Sequence, residues 1–392
     1  MRPEGEPSCY GAGMWRALLV LGSLAACGTP PAVDAGVDAG FVPTQTRLLG
    51  LNDVTFLLPL ESLDAGSPFP NPFELIPFAS FDRLTTAAPV VTTDLARLRV
   101  VGVRFDLCDR ADPVPCKEDA DGVFRLVLQP VYGAPPKVED VALHGFFAVP
   151  RAEVPQVVDE LRALAAQQDL PRGAPLRVNT TFQSNAAYRG QLGALVSRYA
   201  KAPRLHRLTL FGQESERAAI VWIFRGEERV GGGGLGPIEI PGAMGTLQEV
   251  LLFGGDSYLV TPLADFPVGF YRSVMETSFR NSTPEQQLES VQSLAAVENP
   301  LLHTANTVQC ASCHLSTTIL PARAADAGVD LGSLAEVYRA PLFDQSPLGT
   351  QNVRFRTLRA LGYFVDAPLV SQRVINETAN VLGELEQRYP VP

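Results

Sequence analysis

The sequence predicts an α+β body followed by a small, mainly α-helical C-terminal domain. Three patterns carry that reading. Apolar and polar residues alternate in several short segments through the middle of the chain. Segments of helical period interrupt them. Beyond about residue 266 the recognisable patterns are helical.

Within 97–106, Leu98, Val100 and Gly102 alternate with Arg97, Arg99 and Arg104, as in a half-buried strand. Residues 123–128 form a second candidate strand, entered by the turn Asp121-Gly122, and 138–149 a third. Two helices follow. Residues 155–166 place Val158, Leu161, Leu164 and Ala165 on one face; 188–199 do the same with Tyr188, Leu192, Leu195 and Val196. Strands return at 205–211, 218–224 and 250–260. Residues 45–265 therefore read as one α+β domain to which no chemistry is assigned.

The region 266–392 differs. Ser282 or Thr283 can cap a helix with Pro284 in its first turn, and Glu285 or Gln286 completes a capping box. Leu288, Val291, Leu294 and Ala295 form its buried stripe, and Asn299-Pro300 stops it. Ser371 caps a last helix with Val374, Thr378, Val381, Leu382 and Leu385 on one face.

Between these helices lies Cys310-Ala311-Ser312-Cys313-His314. The spacing C-x-x-C-H is the attachment signature of c-type haem. Two thiols three positions apart lie on one side of a helical turn and reach two vinyl groups of one porphyrin. The next imidazole then faces the iron as an axial ligand. With 6 cysteines and 4 histidines in 392 residues, chance produces the pattern on the order of once in a thousand such chains. The competing readings are a redox dithiol, half of a zinc site, or a plain disulfide. Zinc wants a second Cys/His pair nearby, and only His303 is close. A thioredoxin-like dithiol wants a strand before it and an amphipathic helix after it, whereas Leu315-Ser316-Thr317-Thr318 runs to Pro321.

The N-terminus points to the same compartment. The apolar run 17–26 follows Arg16 and is too short to span a bilayer. It ends in Leu24-Ala25-Ala26-Cys27, which resembles a bacterial lipobox in which the cysteine is lipidated. Glu4 and Glu6 are unusual in an export signal, and a start at Met14 instead of Met1 gives a more regular one. Residues 1–26 thus read as a lipoprotein signal peptide, and 27–44, with Asp34-Ala35-Gly36-Val37-Asp38-Ala39-Gly40, as a flexible acidic linker. In an oxidising compartment the remaining pair, Cys108 and Cys116, is expected to form a disulfide that pins the loop between them.

The formal net charge of −10 argues against nucleic acid and against charge-driven binding to anionic lipid, so membrane attachment rests on Cys27. Gly231-Gly232-Gly233-Gly234-Leu235-Gly236 contains G-x-G-x-x-G, but the extended Pro237-Ile238-Glu239-Ile240-Pro241 follows where a nucleotide site needs a helix; it reads as a hairpin loop. The acidic residues Asp106, Asp109, Asp112, Glu118, Asp119 and Asp121 fit no EF-hand spacing and read as a solvated turn.

At its five-residue motif and loose helical frame, 266–392 resembles monohaem c-type cytochromes, here carried on a bacterial lipoprotein. The resemblance implies one covalent haem c on Cys310 and Cys313, with His314 as axial iron ligand. A common small-cytochrome pattern supplies a methionine downstream, but no Met, His or Lys follows His314. The candidate second axial ligand is therefore His303, whose eleven-residue separation can reach roughly 36 Å, enough to pass round a haem edge. Met275, Met244, His144 and His206 are the alternatives; Met275 reads as core packing, His206 as a surface residue, His144 as a partly buried strand residue.

The expected function is electron transfer by an exported, lipid-anchored protein facing periplasm or cell surface, its partner a redox protein or a membrane electron-transfer component. The alternatives are a peroxidase-like haem enzyme with an open sixth site, or a non-enzymatic surface lipoprotein that binds a partner through 45–265. A diheme peroxidase needs two C-x-x-C-H motifs, and this chain has one.

Overall fold

The alternating segments form strands, and the strands join one antiparallel sheet. A computed structural model describes residues 48–63, 67–86, 95–108, 119–213, 221–231, 233–254, 257–304, 306–348, 358 and 360–391. The strands are β1 (Thr55–Leu57), β2 (Leu98–Leu107), β3 (Ala120–Tyr132), β4 (Lys137–Val138), β5 (Val141–Pro150), β6 (Leu205–Gln213), β7 (Val221–Arg229), β8 (Leu235–Pro237), β9 (Leu247–Gly254), β10 (Ser257–Thr261), β11 (Leu361–Phe364) and β12 (Ala367–Val370). The sheet runs β1-β2-β3-β5-β6-β7-β9-β10, with β4 beside β3 and β8 beside β7; β11 and β12 form a separate hairpin. The single strand expected over 250–260 is instead the β9–β10 hairpin, because Gly254 ends one run and Ser257 pairs back onto it. β7 and β8 pair as a hairpin, with Gly231, Gly233 and Gly234 between them, as the extended sequel predicts.

Six helices of nine residues or more lie among the described residues: α1 (Phe78–Thr86), α2 (Val154–Ala165), α3 (Ala186–Tyr199), α4 (Pro284–Val297), α5 (Cys310–Asp326) and α6 (Gln372–Arg388). Thr283 caps α4 with the capping box to Gln286, and Ser371 caps α6 through the Val374 amide, both as read from sequence. One expectation fails. Pro321 does not halt the segment after the motif; α5 carries it inside a 17-residue helix. The segment before the motif is turns and not a strand, so the thioredoxin-like arrangement is still not formed.

The central strands are covered on both faces, which is why β5 is buried at nine of its ten positions instead of alternating. Successive residues point to opposite faces. Phe124 points to one, where it stacks on Tyr199 of α3 at 5.5 Å and tilts against Phe105 at 5.2 Å. Arg125, the next residue, points to the other, beside its cross-strand neighbour Arg104. That second face is covered by α5 and α6 and carries the site.

The domain boundary expected near 265 is not a break in packing. Pro43–Pro392 form one compact unit. The C-terminal region also contains the β11–β12 hairpin as well as helices, and it is built into the body. Tyr363 donates its amide to Gln129 Oε1 at 2.7 Å and its hydroxyl to the Leu58 carbonyl at 2.7 Å. Thr378 of α6 and Thr55 of β1 share a hydroxyl hydrogen bond at 2.8 Å. A terminal helix whose apolar stripe is 3.6-periodic needs a partner surface, and here the sheet supplies it. No helix among the described residues is long and apolar enough to cross a membrane. The signal-peptide and linker assignments (1–26 and 27–44), Cys27, and Cys116 lie outside the described residues. Cys108 is disulfide-bonded.

Candidate haem site

Cys310, Cys313 and His314 share one face of the first turns of α5, since i, i+3 and i+4 superpose on a helix. They are half-buried, while the intervening Ala311 and Ser312 are fully buried on the other side. The three motif side chains open into a cavity of about 1060 Å³, including the part continuous with solvent. The sheet face supplies one wall and the start of α6 another.

The start of α5 is held by two buried glutamines that sequence reasoning missed. Gln309, its N-cap, makes no capping bond to its own helix. Its amide instead donates to the Ala264 and Phe266 carbonyls at 2.8 and 3.0 Å. Gln248 of β9 takes over the cap: its Oε1 accepts from the Ala311 amide at 2.8 Å, and its Nε2 donates to Gln309 Oε1 at 2.7 Å. The motif is thereby fixed to the sheet.

Burial pushes the Cys310 thiol up to about 12, with the neighbouring Cys313 adding to it, and burial pushes the Cys313 thiol up to about 11. Both are free thiols. A redox dithiol at a helix N-terminus works through a stabilised thiolate, and these thiols are held the opposite way.

His314 donates from Nδ1 to the Leu358 carbonyl. That bond selects the tautomer whose Nε2 carries the lone pair, the arrangement a metal-ligating imidazole uses. The ring stacks on Phe211 at 5.3 Å, 13° from parallel, and tilts against Phe224 at 4.7 Å. Its plane and its donor nitrogen are thus both set by the fold. The free thiol pair and the oriented imidazole are the donor set that a covalent haem requires.

A charged group lies beside the cavity. Arg104 pairs with Asp106 and Glu377 at 2.6 Å each, and Arg373 pairs with Glu377 at 2.6 Å. Arg125 reaches Asp106 at 3.6 Å and lies 4.7 Å over the Phe146 ring. Burial alone would raise the Glu377 carboxyl, but Arg104, Arg373 and Arg125 hold it well below the usual carboxylate range. Burial, together with Arg104, lowers the Arg125 guanidinium. Arg207 bonds Glu228 at 2.8 Å and Asn306 at 2.9 Å. Arg125, Arg207 and Arg373 all line the cavity. The alternation in β2 puts Arg104 on the polar side of a half-buried strand, yet Arg104 is 2% exposed.

The structure separates the other predicted ligands. His303 is not among the cavity-lining residues; its Nδ1 lies 3.3 Å from Thr307 Oγ1 and its ring meets Phe266 edge-on at 6.3 Å. His206 is buried, not a surface residue, and meets Phe146 edge-on at 6.2 Å. Met275 packs on the core as expected, and Met244 is fully exposed. His144 is buried on β5 and lines the cavity. Comparison with protein-family models, with curated proteins and with solved structures finds no match to this chain.

Proposed function

We propose that this chain is an exported, lipid-anchored c-type cytochrome that binds one covalent haem and carries electrons. The observation that carries the reading is the joint placement of Cys310, Cys313 and His314 on the cavity-facing side of α5, with His314 Nδ1 held by the Leu358 carbonyl. Cys310 and Cys313 would hold the porphyrin, and His314 would present Nε2 to the iron. When bound, the haem supplies a one-electron ferric/ferrous couple.

The chain's own residues do the rest. Phe211 and Phe224 fix the imidazole plane, so little reorganises when charge at the centre changes. Arg125, Arg207, Arg225 and Arg373 outnumber Glu239 and Glu377 in the cavity lining, a net positive balance that would favour the more electron-rich state of a bound haem. The lipid on Cys27 would hold the protein at a bacterial membrane facing periplasm or cell surface. Its partner would be a redox protein or a membrane electron-transfer component.

The test is expression of the full chain with its export signal in a host that attaches c-type haem. Haem staining of the denatured protein and peptide mass spectrometry should place one haem on the peptide carrying Cys310 and Cys313. The double variant C310A/C313A should be colourless. Colourless wild-type protein, with the two thiols unmodified or joined to each other, overturns the reading.

A further inference from the structure

The chain has 4 histidines, at positions 144, 206, 303 and 314, and His144 and His314 are the two that line the cavity. We propose that His144, and not His303, is the second axial ligand. This rests on the haem reading above.

The sheet register makes the case. His144 of β5 lies opposite Thr209 of β6, and Thr209 lies opposite Gly226 of β7. Phe211 and Phe224, on which the His314 ring rests, are the neighbouring cross-strand pair on the same face, two residues along each strand. Two residues of strand span roughly 7 Å. The His144 row and the seat of His314 are therefore adjacent rows of one sheet face. Between the imidazoles the floor carries Thr209, and beside it Gly226, over which Ile238 packs. Gly226 is required: a Cβ there would stand 2.6 Å from Ile238 Cδ1 and 3.0 Å from Thr209 Cγ2. Two imidazoles thus border one trough, one carried by a strand and one by a helix. His303 sits outside it, its carbonyl tied to Arg373 at 2.6 Å.

The test uses full-length, haem-loaded protein. In the wild type the ferrous spectrum should be low-spin and unaltered by carbon monoxide, and the ferric spectrum should carry a bis-imidazole electron paramagnetic resonance signature. His144→Ala should keep covalent haem by mass but become high-spin and bind carbon monoxide, with added imidazole restoring the low-spin spectrum. His144→Met should raise the midpoint potential, since methionine for histidine raises it. His303→Ala should leave every spectrum unchanged. Three results overturn the assignment: wild-type protein that is high-spin and binds carbon monoxide; haem-loaded His144→Ala with an unaltered low-spin spectrum; or loss of the low-spin signature in His303→Ala. Wild-type protein without covalent haem overturns the cytochrome reading itself and is recognised by mass before any spectrum is taken.

Discussion

Gln248 and Gln309 bond amide to amide at 2.7 Å, and neither exposes any surface. One belongs to a strand and the other ends a loop, yet together they terminate α5 and position the motif. Replacing Gln248 with Leu strands the Ala311 amide, takes the Gln248 donor from the Pro262 carbonyl, and leaves Gln309 Oε1 with only the longer bond from the Ala264 amide. The expected cost is about 2–4 kcal/mol, because buried groups left without partners lose their full hydration. Urea denaturation should show a lower midpoint at unchanged slope. A double variant with Gln309→Leu should cost less than the sum of the two single changes.

Glu377→Gln tests the charge cluster. Glu377 answers both Arg104 and Arg373 in a buried setting. Removing its charge leaves Arg373 without a carboxylate and Arg104 with Asp106 alone, at roughly 3–5 kcal/mol. The wild-type carboxyl has a depressed folded value, so its stabilisation is present above 4.5 and is lost as pH falls through the folded value. Equilibrium unfolding from neutral pH downward should therefore show the gap between wild type and Glu377→Gln narrowing on the acid side.

Glu298 behaves in the opposite sense. Burial pushes its carboxyl up to about 7, against the pull of Thr317 and Arg373. The folded state then binds this proton more tightly than the unfolded chain, so the contribution falls as pH rises from 4.5 to about 7. The span corresponds to about 3 kcal/mol. Glu298→Gln should be more stable than wild type above pH 7 and should flatten the stability profile between these limits. A profile unaltered by the substitution defeats the assignment.

Gly362→Ala should unfasten the β11–β12 hairpin. Gly362 has φ +138°, and a Cβ there would stand 2.4 Å from Gln129 Oε1. That oxygen accepts the Tyr363 amide, and the same side chain donates to the Tyr363 and Val141 carbonyls. Moving it breaks buried bonds, and the expected cost is roughly 2 kcal/mol or more. Thermal unfolding should register it as a fall in Tm.

Local signals in the sequence transferred well to local structure. Thr283 and Ser371 cap the helices their side chains predict, since capping depends on a few consecutive residues. The motif lies on a helical face because its spacing is itself helical. What the sequence concealed depends on contacts between distant residues. Arg104 reads as the polar side of a strand until α6 brings Glu377 onto it from far down the chain. Gln248 carries no local signal, since its role exists only against Gln309. The continuation of α5 through Pro321 has a similar origin: tertiary packing of Leu315, Ile319 and Leu320 outweighs one lost backbone donor. His144, remote from the motif in sequence, reached the cavity by strand register alone.

The bond between Thr55 and Thr378 spans 323 positions and ties the first strand to the last helix. The first strand of the sheet is therefore fastened on this side only once α6 has docked against it. If the proposed haem is attached before α6 docks, Cys310, Cys313 and His314 would be open to it on the side that α6 later walls. Cofactor joining would then need no door in the mature protein, because the room is assembled around its occupant.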